Sequence, residues 1–172
     1  PKNISDLKHY NSSTGGSTGV PFLYRISKEQ RLRTGILLYR GWGYADFELG
    51  DKVLFFGGSS LGISPKYSIV KKVNEIARNI KKLSSFDMNE NELKYYVDII
   101  NSFKPKFIRG YASSIYFLGN WIKKKGIKVH TPRAVFTTSE KLYDNMREDI
   151  SGAFYCDVFD GYGLADGGVT AY

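Results

Sequence analysis

Short apolar runs alternate with helical patterns along the chain, and this alternation constrains the fold more than any other feature. Residues 52–56 (KVLFF), 106–109 (KFIR), 134–138 (AVFTT) and 154–159 (FYCDVF) have the length and composition of short buried strands. Strands that alternate with helices are typical of βαβ units and a parallel sheet. The sequence therefore predicts an α/β protein with a mostly parallel sheet flanked by helices.

The helical patterns between these runs carry start and stop signals. Asn89 with Glu92 has the outline of a capping box, and this helix should stop by Phe103, ahead of Pro105. The next helix carries Ile115 and ends at Gly126. The other predicted helices are residues 28–42, 68–83 and 139–150, and the predicted loops are residues 59–67, 110–114 and 161–168.

Composition bounds the class of protein. A chain of 172 residues suits one domain or a piece of a larger one, and 42% hydrophobic residues are enough for a packed core. No apolar run approaches the ~20 residues of a membrane span. The single cysteine, Cys156, excludes an internal disulfide framework and predicts a cytoplasmic protein. Two distant histidines, His9 and His130, do not predict a zinc site.

The net charge of +8 has two interpretations. A basic balance can indicate a nucleic-acid partner or an anionic membrane surface. The lysine clusters at residues 71–72, 81–82 and 123–125 instead fit the solvated outer sides of predicted helices, and no aromatic residue is interleaved with them as a base-stacking platform requires. We therefore expect no nucleic-acid partner.

Residues 12–21 (SSTGGSTGVP) combine glycines and hydroxyl side chains, and no apolar residue precedes Val20. Such a segment is either a flexible linker or an anion site made of backbone N–H groups and hydroxyls. It is not a Walker loop, because no Gly-Lys-Ser/Thr follows. Three further loops, after Arg109, Thr138 and Phe159, fall where predicted parallel strands end. Ligands bind at such ends in open α/β sheets, although the loops could be merely tight connections.

The loops also match a known family in order. Residues 14–21 resemble the phosphate loop of the adenylate-forming superfamily (acyl-CoA synthetases, adenylation domains and luciferases), and residues 103–113 resemble the acyl-pocket segment of its phenylacetate–coenzyme A ligase and capsular polysaccharide biosynthesis branch. Residues 137–140 (TTSE) resemble the adenine-side loop, and residues 160–166 (DGYGLAD) resemble the Tyr-Gly-x-Thr-Glu motif. The likeness covers nearly the whole chain.

The resemblance implies a fold, a reaction and a set of site residues. A carboxylate attacks the α-phosphate of ATP to give an acyl-adenylate and pyrophosphate, and a thiol, usually that of coenzyme A, then accepts the acyl group. Mg²⁺ would be held by Asp166. The implied phosphate-binding residues are Thr14, Gly15, Gly16, Ser17, Thr18 and Gly19; the catalytic residues are Thr18 and Asp166; the adenine-binding residues are Ser139, Glu140, Tyr162 and Gly163; and Tyr111 and Ala112 face the acyl group.

Three positions depart from the family pattern. Gly15 replaces a serine, Ala165 replaces a threonine or serine, and Asp166 replaces a glutamate. A lost hydrogen bond to a charged group costs about 1.5–3 kcal/mol, so Ala165 could slow adenylation. The alternative function is therefore a non-catalytic or altered nucleotide- or acyl-binding protein in capsular polysaccharide or secondary-metabolite biosynthesis.

The resemblance also bears on completeness and assembly. In the family, the ribose-binding aspartate and the catalytic lysine of a C-terminal lid domain lie beyond the last motif. Residues 1–172 are therefore expected to be one fragment of the large N-terminal AMP-binding domain, and not a complete enzyme by themselves. An incomplete sheet can expose an apolar edge that pairs with a second copy, so a homodimer is one assembly that the sequence permits.

Overall fold

The elements of the chain follow one another in an α/β order. The computed structural model describes residues 8–13, 20, 22–58, 69–164 and 169–171. The strands are β1 (His9–Ser13), β2 (Leu23–Ser27), β3 (Val53–Gly57), β4 (Ile80–Ser84), β5 (Phe107–Tyr111), β6 (Ala134–Thr138), β7 (Asp157–Leu164) and β8 (Val169–Ala171). The helices are α1 (Lys28–Trp42), α2 (Ile69–Ala77), α3 (Glu90–Phe103), α4 (Ala112–Lys125) and α5 (Asp144–Phe154), with a short 3-10 helix at Gly43–Ala45.

One six-stranded sheet forms the body of the molecule, in the order β4-β3-β5-β6-β7-β8. The first five strands are parallel, and β8 runs antiparallel to β7. β1 and β2 form a separate antiparallel hairpin. The predicted α/β class with a mostly parallel sheet is confirmed.

The connections place helices on both faces of this sheet. α2 leads from β3 outward to β4, whereas α3, α4 and α5 each lead toward β7. Because such crossovers are right-handed, α2 lies on the opposite face from the other three. The ion pair between Glu75 of α2 and Lys82 of β4 supports this placement. Lys82 is in register with Phe55 and so lies on the same face, and Phe55 packs near Trp42 of α1. We call the two sides the α3–α5 face and the α1–α2 face.

The two faces have different cores. On the α3–α5 face, side chains from all three helices pack on the strands; its fully buried members include Ile100, Ile115, Val135, Ile150 and Phe154. On the α1–α2 face, aromatic rings dominate. Trp42 stacks on Phe136 with a centroid distance of 5.0 Å and meets Phe47 edge-on at 4.9 Å. The guanidinium of Arg109 lies 5.4 Å from the Trp42 ring and 5.8 Å from the Phe55 ring.

Several helix ends form where the sequence predicts them. The Asn89 side chain accepts hydrogen bonds from the Asn91 and Glu92 backbone N–H groups, both at 3.1 Å, and begins α3. α3 ends at Phe103 because Lys104 adopts a left-handed conformation, with φ of 50°. Gly126, with φ of 64°, ends α4 as expected.

The prediction of one helix over residues 68–83 is wrong. α2 ends at Ala77, Asn79 takes a left-handed φ of 52°, and Ile80 begins the edge strand β4. The left-handed residue reverses the chain so that Ile80 can pair beside β3, and pairing outweighs the helical pattern of the sequence. The lysines at 81 and 82 therefore lie on a strand and not on a helix face.

Several boundaries near the ends of β5, β6 and β7 also differ from the prediction. Residues 110–114 form no turn, since β5 runs to Tyr111 and α4 begins at Ala112. The last helix begins at Asp144 and not at 139, because Ser139 has a left-handed φ of 68° that a right-handed helix excludes.

The last strand also begins and ends later than predicted. α5 extends to Phe154, and Tyr155, with φ of 54°, ends it, so that β7 begins at Asp157. β7 then continues through Tyr162 and Gly163 to Leu164, where a glycine-rich loop was expected, because antiparallel pairing with β8 holds these residues extended.

Candidate functional site

The parallel pairing of three neighbouring strands ends at one level of the sheet. Tyr111 at the end of β5 is in register with Thr138 at the end of β6, and Thr138 is in register with Gly161 of β7. The structure therefore brings the residues at 111–112, 138–140 and 160–163 to one edge of the sheet. This agrees with the prediction that the loops after Arg109, Thr138 and Phe159 follow the ends of parallel strands. The ends of parallel strands are where open α/β sheets bind ligands.

The strand order identifies one point on this edge as favoured. Chain direction reverses between β3 and β5, since β3 connects outward to β4 while β5 connects toward β6. Crevices form at such a switch point. Here the Tyr111 hydroxyl approaches Gly58 so closely that a Cβ atom on Gly58 would lie 3.2 Å from it and 2.8 Å from the Phe86 ring. Tyr111 is half-buried at this point, whereas Ala112 is fully buried in the core of the α3–α5 face.

Glu140 ties two of the loops together. Its Oε2 atom accepts a hydrogen bond of 2.9 Å from the backbone N–H of Ser113, in the first turn of α4. The residue ahead of that helix, Tyr111, supplies no side-chain cap of its own. Glu140 therefore caps α4 from the neighbouring loop, and its negative charge suits the positive end of the helix dipole. Ser139 beside it is exposed in its left-handed conformation, which costs a non-glycine residue about 1 kcal/mol or more.

Asp160 lies at the same edge and was not predicted from the sequence as a candidate site residue. Its Oδ1 atom accepts a 2.7 Å hydrogen bond from the hydroxyl of Thr137, which is fully buried. This bond fixes the carboxylate two residues before Tyr162 at the carboxyl edge. The sequence signal for this bond is a threonine near the end of one predicted strand and an aspartate directly after the next predicted strand. The carboxylate keeps acceptor capacity for a donor on a ligand.

Tyr162 and Gly163 lie in β7 and are exposed. The Tyr162 side chain is 63% exposed, and its backbone pairs with Ala171 of β8. A ring on a paired strand keeps a defined position while its face stays open to solvent. Such a ring can stack on a planar base.

The other predicted site residues lie outside the described part of the chain. They are Thr14, Gly15, Gly16, Ser17, Thr18, Gly19 and Asp166. The strands that flank them are described: Ser13 pairs with Leu23 in the β1–β2 hairpin, and Leu164 pairs with Val169. Helix α1 contacts both β2 and β8. The strands next to the two motif segments are thus attached to one helix.

The described residues do not form a metal site or a reactive thiol. Among them, no group of three or more His, Cys, Asp or Glu side chains is placed to hold a metal ion. Burial raises the pKa of the Cys156 thiol to about 12, and the neighbouring Asp157 adds to this shift, so the thiol stays protonated. In the part of the chain that is described, we also find no helix whose length and apolar character would let it cross a membrane.

The sequence was compared with protein families and with known proteins. No protein-family model matches the chain. The sequence is 28% identical to Protein CapK of Staphylococcus aureus over 156 residues, which are 90% of this chain and 34% of CapK. The chain thus spans about a third of the length of this relative.

The fold has many solved counterparts. One is 2-hydroxyisobutyryl-CoA ligase in complex with 2-HIB-AMP and CoA, with a TM-score of 0.63 and 15% identity over 94% of this chain and 34% of the ligase. Another is the luciferase-like enzyme of the mealworm Zophobas morio, with a TM-score of 0.60 and 15% identity over 95% and 36%. VinN gives a TM-score of 0.63 over 90% and 36%, again at 15% identity.

These likenesses confirm the resemblance that the sequence motifs indicated. The chain has the α/β fold found in part of the acyl-CoA ligase and luciferase-like adenylate-forming enzymes. By sequence the chain is similar to CapK, which supports the capsular side of the predicted branch.

Proposed function

We propose that the protein activates a carboxylic acid as an acyl-adenylate, with ATP as the second substrate, and passes the acyl group to coenzyme A. The observation that carries the proposal is the register of Tyr111, Thr138 and Gly161, which gathers the predicted acyl and adenine segments at one sheet edge. The fold supports it, since the 2-hydroxyisobutyryl-CoA ligase that shares it was crystallised with an acyl-adenylate and CoA.

Three described residues, Tyr162, Asp160 and Tyr111, have a role in this proposal. The exposed ring of Tyr162 would stack on adenine. The Asp160 carboxylate, held by Thr137, would accept a hydrogen bond from the exocyclic amine of that base. Tyr111, at the switch point, would contact the acyl group. Residues 14–19 are proposed to hold the phosphates, and Asp166 is proposed to hold Mg²⁺, which prefers one or two carboxylates together with phosphate oxygens.

The test is ATP–pyrophosphate exchange by the intact protein with a panel of aryl and short-chain carboxylic acids. Tyr162→Ala should lower the exchange rate at limiting ATP by about fivefold to a hundredfold, since base stacking contributes about 1–3 kcal/mol. Tyr162→Phe should keep most of it. Tyr44→Ala is the matched control, because Tyr44 is similarly exposed but precedes Asp46, whose partner Arg133 lies before β6, at the other end of the strands. Equal loss in Tyr44→Ala would contradict the assignment.

A second candidate function is favoured by one specific observation, the pair of departures at Ala165 and Asp166. In this alternative the protein binds a nucleotide or an acyl group and forms no adenylate, as part of capsular polysaccharide or secondary-metabolite biosynthesis. The similarity to CapK supports the capsular setting. ATP binding by calorimetry that depends on Tyr162, without exchange for any acid, would favour this function over the first.

A further inference from the structure

A groove runs along the edge of the sheet that is farthest from β8. It has a volume of about 350 Å³, and four consecutive residues of β4, from Ile80 to Leu83, line it. Lys72 and Ile76 of α2 form one wall, and Tyr95 and Phe103 of α3 form the other. Because α2 and α3 lie on opposite faces of the sheet, the groove straddles the strand edge itself. Among the described strands, β4 pairs with β3 alone.

Backbone direction shows what the groove presents. The Val53 N–H donates to the Asn79 carbonyl at 3.0 Å, and the Ser85 N–H donates to the Gly57 carbonyl at 2.9 Å. Alternate residues of a strand direct their backbone groups to opposite sides, so residues 79, 81, 83 and 85 face β3 while residues 80, 82 and 84 face outward. The carbonyl of Ser84 confirms this, since it accepts a 2.6 Å bond from the Tyr96 hydroxyl on α3. Ile80 thus directs its N–H and C=O into the groove.

The charge of the groove is positive. Lys72, Lys81 and Lys82 line it together with a single acid, Glu75, which leaves two net positive charges. Glu75 is already 3.7 Å from Lys82. The Lys81 ammonium lies 5.7 Å from the centre of the Phe103 ring, over the apolar wall. The groove thus offers apolar contacts with cations beside them.

We propose that this groove binds an extended acidic peptide segment of a partner protein, which adds to β4 as a further strand. An exposed strand edge pairs with extended backbone, and side-chain pockets beside it select the sequence. Lys72 and Lys81 select acidic side chains. The lysines of β4 also argue against a second copy of this chain at the same edge, because pairing β4 with itself would bring two Lys81–Lys82 pairs together, and facing like charges destabilise strand pairs. The proposal is independent of the function proposed for the carboxyl edge.

The experiment uses the intact protein and a fluorescent, end-blocked peptide of about six residues that alternates glutamate with valine, the length of an ordinary strand. Binding is measured by anisotropy at low and moderate salt. Two control peptides match it: one alternates lysine with valine, and one carries N-methyl groups on every second residue, which remove the donors needed for strand pairing. We expect the acidic peptide to bind at least about tenfold more tightly than either control.

Protein variants and amide exchange locate the binding. The double variant Lys72→Glu, Lys81→Glu should weaken the acidic peptide by at least about tenfold. Lys124→Glu, an exposed charge reversal near the end of α4, should not. The Ile80 amide should exchange more slowly when the peptide is bound. Equal binding of the N-methylated peptide, no binding at about 1 mM, or a dimer of this chain formed through β4 would each overturn the proposal.

Discussion

The two faces of the sheet bury their cores in different ways. On the α3–α5 face, three helices share the core, and only two of their large apolar side chains, Tyr95 and Phe117, are markedly exposed. On the α1–α2 face, a single residue, Trp42, contacts four aromatic rings. The helices there expose more apolar side chains on their outer sides, namely Leu32, Ile36, Leu37, Val73 and Ile76. Core packing on the α3–α5 face is shared by side chains of three helices, whereas core packing on the α1–α2 face centres on Trp42.

Substitution of Trp42 tests this difference most strongly. Trp42→Ala should lower the free energy of unfolding by about 3–5 kcal/mol, because it empties the centre of the aromatic cluster. Helix α1 should lose its hydrogen-exchange protection well before β5, β6 and β7. Leu118→Ala on the other face should cost a similar amount but lower protection across α3, α4 and α5 together. If Trp42→Ala leaves the hydrogen-exchange protection of α1 unchanged, the proposed difference in packing between the two faces is wrong.

The substitution Gly110→Ala, which adds a methyl group, should have the next largest effect on stability. A Cβ atom there would lie 2.0 Å from the Phe56 carbonyl oxygen and 3.2 Å from Ile115, so β3 and β5 must separate. Gly110→Ala should therefore cost about 3 kcal/mol in chemical denaturation. Gly35→Ala is the control, since nothing lies within 4 Å of a Cβ atom on Gly35 and alanine suits the interior of α1, which should gain up to about 1 kcal/mol. Equal stability of the two variants would refute close packing at Gly110.

Alkaline pH should weaken the α3–α5 face. Burial raises the pKa of the Cys156 thiol from 9.0 to about 12, and burial together with Glu92 raises the pKa of the Tyr96 hydroxyl from 10.0 to about 12. Each group holds its proton more tightly in the folded state, so the stabilisation that it contributes is complete below its unfolded pKa, 9.0 for the thiol and 10.0 for the hydroxyl, and is lost as pH rises from there toward 12. The loss can reach about 1.4 kcal/mol per pH unit for each group.

Urea denaturation at several pH values measures this loss. Cys156→Ala should flatten the stability profile between pH 9 and 10, where the thiol is the first of the two groups to lose its proton in the unfolded chain. The variant should leave the profile below pH 9 unchanged in shape. A decline that stays as steep in Cys156→Ala would assign the effect to other groups.

The cap supplied by Glu140 should contribute a smaller amount. Glu140→Ala removes the acceptor for the Ser113 N–H and should cost about 1 kcal/mol. Glu140→Gln keeps an acceptor and should recover most of that, apart from the charge–dipole contribution of about 0.3–1 kcal/mol. Thermal unfolding with Glu148→Ala, an exposed acid on α5, as the control would measure it. A Glu140→Ala variant as stable as that control would show that the cap is not needed.

The outer apolar residues of α1 should have the smallest effect. Ile36→Gln exchanges a side chain that is 66% exposed and should change stability by less than about 0.5 kcal/mol. Urea denaturation of the intact protein measures this change. A loss of more than about 2 kcal/mol would show that something packs on this side of α1 in solution, and that the α1–α2 face is covered after all.

Sequence patterns predicted the parts of the fold that local chemistry controls. The bounds of α1 and β6 followed from periodicity, the start of α3 from its cap Asn89, and the end of α3 from the following Pro105. β4 could not be predicted in this way, because its residues have a helical pattern and only the neighbouring β3 makes them a strand. The extension of β7 through Tyr162 depends in the same way on β8.

The candidate site residues divide in the same way, into those that local motifs predict and those that depend on strand pairing. Ser139, Glu140 and Tyr162 were predicted from motifs, and the structure places all three at one sheet edge with Tyr111. Their roles stay predictions. The bond from Glu140 to Ser113 and the bond from Thr137 to Asp160 were not predicted, because each joins residues more than twenty positions apart whose proximity is set by strand register.

The pairing of β3 with β5 has a consequence for the order of folding. Val53 and Phe107 are partners although 54 positions separate them, whereas β5, α4, β6, α5 and β7 join neighbours along the chain. Local contacts close short loops and form early, and distant pairs form later because a longer loop must be closed. The carboxyl-terminal half should therefore assemble first as a nucleus, with β3 docking afterwards, so that Gly58 comes close to Tyr111 only at that late step.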